Sequence, residues 1–259
     1  MKQFSPRRED GLARLEAFRP FAGSVYSRRR NHDLGPSDRG NVSTLSPWIR
    51  HRLLLEPEAV RAAVDTHGER SAEAFVQEVV WRTYAKGHLE QHPATWSAYE
   101  RDRDQRLRSL ATGDDLSERL ERAVTANTGI ECFDAWAREL LEFGYLHTHA
   151  RLWFAGVWVD TLGLPWQLGA DFFLRHLLDG DPASNLLGGR WVCGLHTRGR
   201  TYLARPENID KFTGGRFRWP EGLASSAPAL QEEPIAAETM AGSGVIPPTG
   251  SYVLLVTEE

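Results

Sequence analysis

Residues 140–164 read LLEFGYLHTHARLWFAGVWVDTLGL, and the fold class turns on how that stretch is divided. Gly144 interrupts a dense run of aliphatic and aromatic side chains, so the stretch resolves into two consecutive helices. The second carries Trp153, Phe154, Val157 and Trp158 on nearly all sides. A helix that is apolar all round has no face to offer water, so it belongs in the middle of a helical domain. The segment Leu152 to Leu164 is too short to cross a bilayer and contains Asp160, which argues for a buried core helix rather than a membrane span.

Outward from this core the punctuation stays helical. Upstream, Asp115 with Glu118 and Thr128 with Glu131 have capping-box spacing ahead of apolar-periodic runs. Ser71 to Lys86 places Phe75, Glu78, Val79 and Trp81 at helical spacing. Pro57 opens a helix to Thr66, and Ser46 followed by Pro47 is an N-cap and first-turn pair that predicts a helix through about Leu55. Residues 1–40 read as a short helix followed by a long loop. Downstream of Trp191, Gly194, Gly199, Pro206, Gly214 and Gly215 mark a loop-rich segment. Residues 219–250 are rich in Pro, Ala, Gly and Ser, as in a linker. SYVLLVT at 251–257 then reads as a β-strand. The expected architecture is all-α: an N-terminal extension at 1–36, a helical domain at 37–218, and a linker with a C-terminal extension at 219–259.

Composition narrows the function classes. An apolar share of 41% is that of an ordinary globule. Two cysteines, Cys132 and Cys193, can supply neither a disulfide framework nor the four thiolates of an iron–sulfur cluster. The first residues lack the apolar core of a signal peptide, so a cytoplasmic location is expected, with no membrane partner. The formal charge of −4 argues against binding nucleic acid mainly through phosphates. The local exceptions are Arg28–Arg30 and the series Arg101, Arg103, Arg106 and Arg108, whose plain role is a loop and a solvated helix face.

Four clusters could carry chemistry. Ser43-Thr44-Leu45-Ser46 runs into a helix N-terminus, where hydroxyls and free N–H groups suit a phosphate; simple capping by Ser46 is the alternative. Glu78, Trp81 and Arg82 share a helix, and a carboxylate beside a ring suits a flat heterocycle, against a surface ion pair next to a core tryptophan. His147 and His149 lie two apart, on different helix faces, and lack a third metal ligand, so no metal is expected. Asp179 and Asp181 precede Asn185 and Trp191, a pattern that ordinarily serves turns and caps.

Taken in order, these segments resemble the FAD-binding domain of photolyases and cryptochromes. Gly40-Asn41-Val42-Ser43-Thr44-Leu45-Ser46 is similar to the family's phosphate loop, and Glu78-Val79-Val80-Trp81-Arg82 to its Glu-x-x-Trp-Arg. Thr128-Gly129-Ile130, Phe133-Asp134-Ala135, Gly144-Tyr145-Leu146-His147 and Asp179-Gly180-Asp181 follow in register over roughly 37–217. The resemblance implies FAD as cofactor, with Ser43, Thr44, Leu45 and Ser46 at the pyrophosphate and Phe75 packed against the cofactor. Glu78, Arg82 and Thr148 complete its surroundings. Arg151 would pair with Asp179 beside the flavin ring, Asp181 would meet its polar edge or a ribityl hydroxyl, and Asn185 would face N5. Glu78, Trp81, Asn185 and Trp191 would be catalytic, the two tryptophans stacking on a flipped pyrimidine dimer. UV-damaged DNA, single- or double-stranded, is then the implied partner, and blue-light repair the implied activity. The alternative is a flavin photoreceptor that signals to a protein partner through the C-terminal extension.

The sequence departs from the family pattern in four ways. Residues before 37 cannot form the family's N-terminal α/β antenna domain. Trp166 matches the middle member of the electron-transfer tryptophans, but Gly189 stands where the flavin-proximal ring is expected. Trp136, Trp153, Trp158 or Tyr145 would offer a substitute route, against plain core packing as the role of each taken singly. Thr148 replaces an asparagine of dimer-repairing members and His149 a phosphate-contacting arginine. Thr148 and Leu152 stand where (6-4) photolyases place two histidines, which disfavours that chemistry.

Overall fold

A computed structural model describes residues 4–110, 113–233 and 235–237. Its described residues form twelve α-helices and no strand. The expected strand at 251–257 and most of the linker lie outside them.

The N-terminal half is built from α1 (Arg8–Phe18), a 3-10 turn (Arg19–Phe21), α2 (Ser24–Arg29), α3 (Ser46–Arg50), α4 (Glu56–His67) and α5 (Glu69–Gln91). Leu15, Phe18 and Tyr26 from the first helices share one core with Trp48, Leu54, Ala63 and Phe75. The boundary drawn at residue 36 is therefore not a packing boundary: the described part of the extension completes the hydrophobic face of α4 and α5. It also holds more helix than the single short one expected. Arg28 and Arg29, read as loop, are the last turn of α2.

The helix opened by Ser46 ends at Arg50 rather than Leu55. The amides of Leu53 and Leu54 turn back onto the Trp48 carbonyl at 2.9 and 3.2 Å, and Arg52 takes a left-handed φ of 57°. The next helix begins at Glu56, where Glu58 accepts from the Leu55 amide at 2.8 Å. α5 runs further than Ser71 to Lys86, continuing to the Gln91–His92 corner before α6 (Pro93–Ser109).

The C-terminal half holds α7 (Asp115–Val124), α8 (Glu131–Phe143), α9 (Thr148–Gly156), α10 (Trp166–His176), α11 (Pro182–Val192) and α12 (Pro206–Phe212). Asp114, not Asp115, caps α7, accepting from the Ser117 amide at 2.6 Å. At α8 the expected Thr128–Glu131 box is replaced by Asp134, which accepts from the amides of Thr128 and Gly129 and from the Thr128 hydroxyl.

Gly144 does end α8, as the sequence requires. Its φ is 64°, and a Cβ there would lie 2.7 Å from Leu178, so both the left-handed conformation and the close packing favour glycine. α9 passes into a π-helical turn at Val157–Thr161. Trp136, Trp153, Trp158, Phe133 and Phe154 of this region are fully buried in the larger core. After α12 the described residues have no regular structure but are seated on the domain. The Thr161 hydroxyl accepts from the Ala224 amide, the Thr201 hydroxyl donates to the Ala227 carbonyl, and the Leu230 amide donates to the Cys193 carbonyl. What read as free linker is, through residue 232, a strap.

Candidate functional site

The short segment 177–181 between α10 and α11 is held from several sides. The Leu178 amide donates to the Gly144 carbonyl at 2.8 Å, Arg50 reaches the Gly180 carbonyl, and His51 reaches the Leu178 carbonyl at 3.0 Å. This grip brings α3, α9 and α11 together around Asp179. Arg151 on α9 donates to Asp179 at 2.9 Å and to the Leu146 carbonyl at 2.9 Å. Burial opposes charge on Asp179, but Arg151, the Ser46 hydroxyl and Arg82 outweigh it and hold the carboxyl below its ordinary range. Ser46 is thus drawn toward Asp179, and it makes no side-chain cap on α3.

Asp181 does the turn and cap work that its position suggests. One oxygen accepts from the Ser184 amide at 2.9 Å to cap α11, and the other lies 2.9 Å from Arg82. Arg82 lies 3.4 Å from Glu56 as well. Asp181 and Arg82 therefore tie α5 to the start of α11. One turn along α11 stands Asn185.

The loop before α3 has an organiser that its own sequence does not reveal. Arg14 of α1 donates to the Ser43 carbonyl at 2.8 Å, the Thr44 hydroxyl at 2.9 Å, the Val42 carbonyl at 2.8 Å and the Arg39 carbonyl at 3.2 Å. Thr44 is buried with a left-handed φ of 54°, its hydroxyl engaged within the loop. Ser43 is only half-buried and is the more accessible hydroxyl. Leu45 is buried in the N-terminal core. α3 is a turn and a half long, so its dipole adds little and any anion here relies on loop amides and hydroxyls.

Two polar atoms around this cluster are buried without a partner, Asp179 Oδ1 and Asn185 Nδ2, whereas the guanidinium of Arg82 is held by its ion pairs with Glu56 and Asp181. Buried polar groups are normally satisfied, and a set of exceptions in one place calls for an absent partner. Free acceptors and donors on adjoining segments suit a flat heterocycle whose edge alternates carbonyls and N–H groups. Phe75, by contrast, is enclosed by protein, 5.4 Å from Tyr26 and 5.6 Å from Phe18.

Glu78 and Trp81 lie on α5 with Arg82. Glu78 pairs with Arg30, half-buried, rather than with Arg82. Trp81 is 58% exposed and meets Tyr84 edge-to-face at 5.1 Å. Trp191 is half-buried against Tyr202 at 5.5 Å. Thr148 is exposed at the start of α9. His149 faces inward instead of toward a phosphate: its ring nitrogens meet the Asn31 carbonyl and the Tyr202 hydroxyl at 2.9 Å each, and it stacks on Trp153. His147 caps α9, its Nδ1 accepting from the His149 amide at 3.1 Å. Among the described residues no group of His, Cys, Asp and Glu could hold a metal ion, and no helix is long and apolar enough to cross a membrane.

Trp166 lies where a side chain at 189 would touch it, 3.4 Å from the position of an added Cβ. Behind it stand Tyr99 at 5.8 Å and then Trp96 at 5.2 Å. Of the substitute rings, Trp136 and Trp153 stack at 5.5 Å. Trp158 packs on Phe154, and Tyr145 lies under Arg39 and Arg151.

Residues 75–213 match the family model described as the FAD binding domain of DNA photolyase. The chain belongs to the photolyase/cryptochrome family. Within that family it is 35% identical over 157 residues to the deoxyribodipyrimidine photo-lyase of Streptomyces griseus, covering 60% of this chain and 33% of the relative. It is 34% identical over 199 residues to that of Thermus thermophilus, covering 76% and 45%. The chain thus spans less than half the length of these relatives. In fold it resembles a bacterial class III photolyase from Agrobacterium tumefaciens, at TM-score 0.67 and 23% identity over 82% of this chain and 44% of that one. A Synechocystis cryptochrome gives 0.69 and 22% over the same shares. FAD is the cofactor of this photolyase-family domain, and the unsatisfied atoms of Asp179 and Asn185 fit such a group.

Proposed function

We propose that this domain carries out blue-light-driven, FAD-dependent repair of cyclobutane pyrimidine dimers in UV-damaged DNA. The observation that carries the reading is the double role of α5. Its exposed face presents Trp81 to solvent, and Arg82, the next residue, is tied to Asp181 beside the unsatisfied atoms of Asp179 and Asn185. A ring for the lesion and the cluster for the cofactor are thus linked through adjacent residues. The relatives' names as deoxyribodipyrimidine photo-lyases support it.

When bound, reduced FAD would supply the photoexcited one-electron donor that the repair of a cyclobutane dimer requires. The chain's own residues do the positioning. Ser43 and Ser46 would hold the pyrophosphate together with the backbone amides of the loop that Arg14 shapes, while Phe75, enclosed in the N-terminal core, would support the site only from behind. Arg151 and Asp179 place fixed charges beside the flavin ring. Asp181 and Arg82 meet its polar edge. Asn185, whose amide is buried without a partner, would donate to the flavin and influence its protonation. Trp81 and Trp191 stack on the flipped dimer, whose distorted base step is cheap to unstack, and Glu78 leaves Arg30 to hydrogen-bond the pyrimidines. Photoreduced protein is expected to restore a dimer-containing oligonucleotide under blue light and not in the dark; an unrepaired substrate would reject the assignment.

A second reading is a cryptochrome-like photoreceptor without repair. The extension past residue 219, whose strap is fixed to α11 by Glu232 and Arg190, favours it. Light-dependent capture of a protein partner, without preference for damaged DNA, distinguishes it.

A further inference from the structure

A cavity of about 440 Å³ lies between α6, the start of α10 and the strap, a volume within the range of small-molecule sites. It is separate from the flavin cluster. Arg190 lines it and Asn185 does not, because five residues along α11 turn the helix by about 140°. Leu164, Pro165, Trp166 and Leu195 form apolar walls, and Leu230, Gln231 and Glu232 of the strap close one side. That side is fixed in place: the Leu230 amide donates to the Cys193 carbonyl at 3.0 Å, and Glu232 accepts from Arg190 at 2.9 Å.

The charges lining the cavity balance, Arg106 and Arg190 against Asp102 and Glu232, so nothing there selects a charged guest. One polar group is left over. Gln167, in the first turn of α10, is 4% exposed, and its Nε2 donates to Asp102 at 3.4 Å. The carboxylate accepts only, so it fixes which end of the amide faces it. Gln167 Oε1 is then buried with no donor. A buried carbonyl oxygen is normally satisfied, and here the chain itself offers it nothing.

We propose that this cavity binds an uncharged, flat heterocycle of nucleoside size that presents a lactam N–H to Gln167 Oε1. The ring lies among the apolar walls, and the one hydrogen bond sets its orientation. The strap supplies a wall of this second site, which gives the stretch past residue 219 a role apart from DNA and flavin.

The test uses the full-length chain with FAD bound, titrated with inosine, whose base carries a single lactam N–H, and with 1-methylinosine, which lacks it. Equilibrium dialysis reads binding, and flavin absorbance reads the cofactor site. Inosine is expected to bind saturably below about 1 mM and 1-methylinosine about tenfold more weakly, the scale of a buried acceptor left unpaired. Gln167→Met keeps the shape without the acceptor. It is expected to bind inosine about tenfold more weakly than the wild type and to treat the two nucleosides alike. Absence of saturable inosine binding, or an unchanged preference for inosine in Q167M, would overturn the inference. Release of flavin by inosine would overturn it too, by placing the probe in the cofactor cluster. Should Q167M not fold, Leu230→Trp narrows the cavity from the strap, where Leu230 is 39% exposed. Inosine binding is then expected to be lost, and its retention would count against the site.

Discussion

Asp179 combines burial, a charged partner and an oxygen left over. A carboxylate in that state is stable only because Arg151 stays opposite it. Arg151→Ala should therefore destabilise the domain by about 3–5 kcal/mol, the scale of an orphaned buried charge. Asp179→Asn keeps the shape but removes the charge, so it is expected to fold and to lose FAD at least tenfold more readily. Absorbance near 450 nm after gel filtration reads both. Arg14→Ala should cost about 2–4 kcal/mol in chemical denaturation, since its guanidinium serves acceptors on three successive loop positions, 42 to 44, and the Arg39 carbonyl. At this scale the sequence was most informative where a residue works through its neighbours in the chain, as Asp181 does in capping α11. It was silent on Arg14 and Arg30, whose partners lie roughly thirty and fifty positions away. No local spacing encodes a side chain that crosses between helices.

Helices α8 and α9 show what punctuation can and cannot determine. Gly144 was legible because a left-handed residue leaves few choices, and Gly144→Ala should cost about 1–2 kcal/mol from backbone strain and the Leu178 contact. Gly189 makes the opposite case. It sits within α11 with a normal helical backbone and has room for a methyl group against Trp166, so Gly189→Ala is expected to be neutral or to stabilise by up to about 1 kcal/mol. Thermal melts of the two variants should move in opposite directions or differ by several degrees. If Gly189→Ala melts as low as Gly144→Ala, the gap described beside Trp166 does not exist. The caps were misplaced for a physical reason as well. Asp114, Asp115, Thr128 and Asp134 are all competent acceptors, and which one meets a free amide depends on where the preceding chain enters, which tertiary packing decides.

At the scale of the whole molecule, two buried groups shape the response to pH. His147 is held at about 4, first by burial, against an ordinary 6.5. The unfolded chain takes up that proton before the folded one, so stability is lost as pH falls from 6.5 toward 4, by about 3 kcal/mol in all. Asp160 is raised from 3.8 to about 6 by burial alone. There the folded chain keeps a proton that the unfolded chain has released, so stability is lost as pH rises through that window, by about 1–2 kcal/mol once solvent screening is allowed for. His147→Asn, which keeps an acceptor for the His149 amide, should flatten the acid limb of a stability–pH profile. Asp160→Asn should raise the melting temperature at pH 7. The helical class of the whole and the order of its motifs were readable because periodicity accumulates over many residues. The seating of residues 4–30 and of the stretch 219–232 was not, since composition resembles a tether whether or not a groove receives it. That seating has a practical corollary at Arg190. Its guanidinium is 8% exposed, and its match is Glu232, in the stretch that looked dispensable. A shortened chain ending at residue 218, where the family likeness stops, would strip away that counter-ion and uncover the end of the helix bearing Asn185 and Trp191. Trimming for crystallisation or expression should therefore stop beyond position 232.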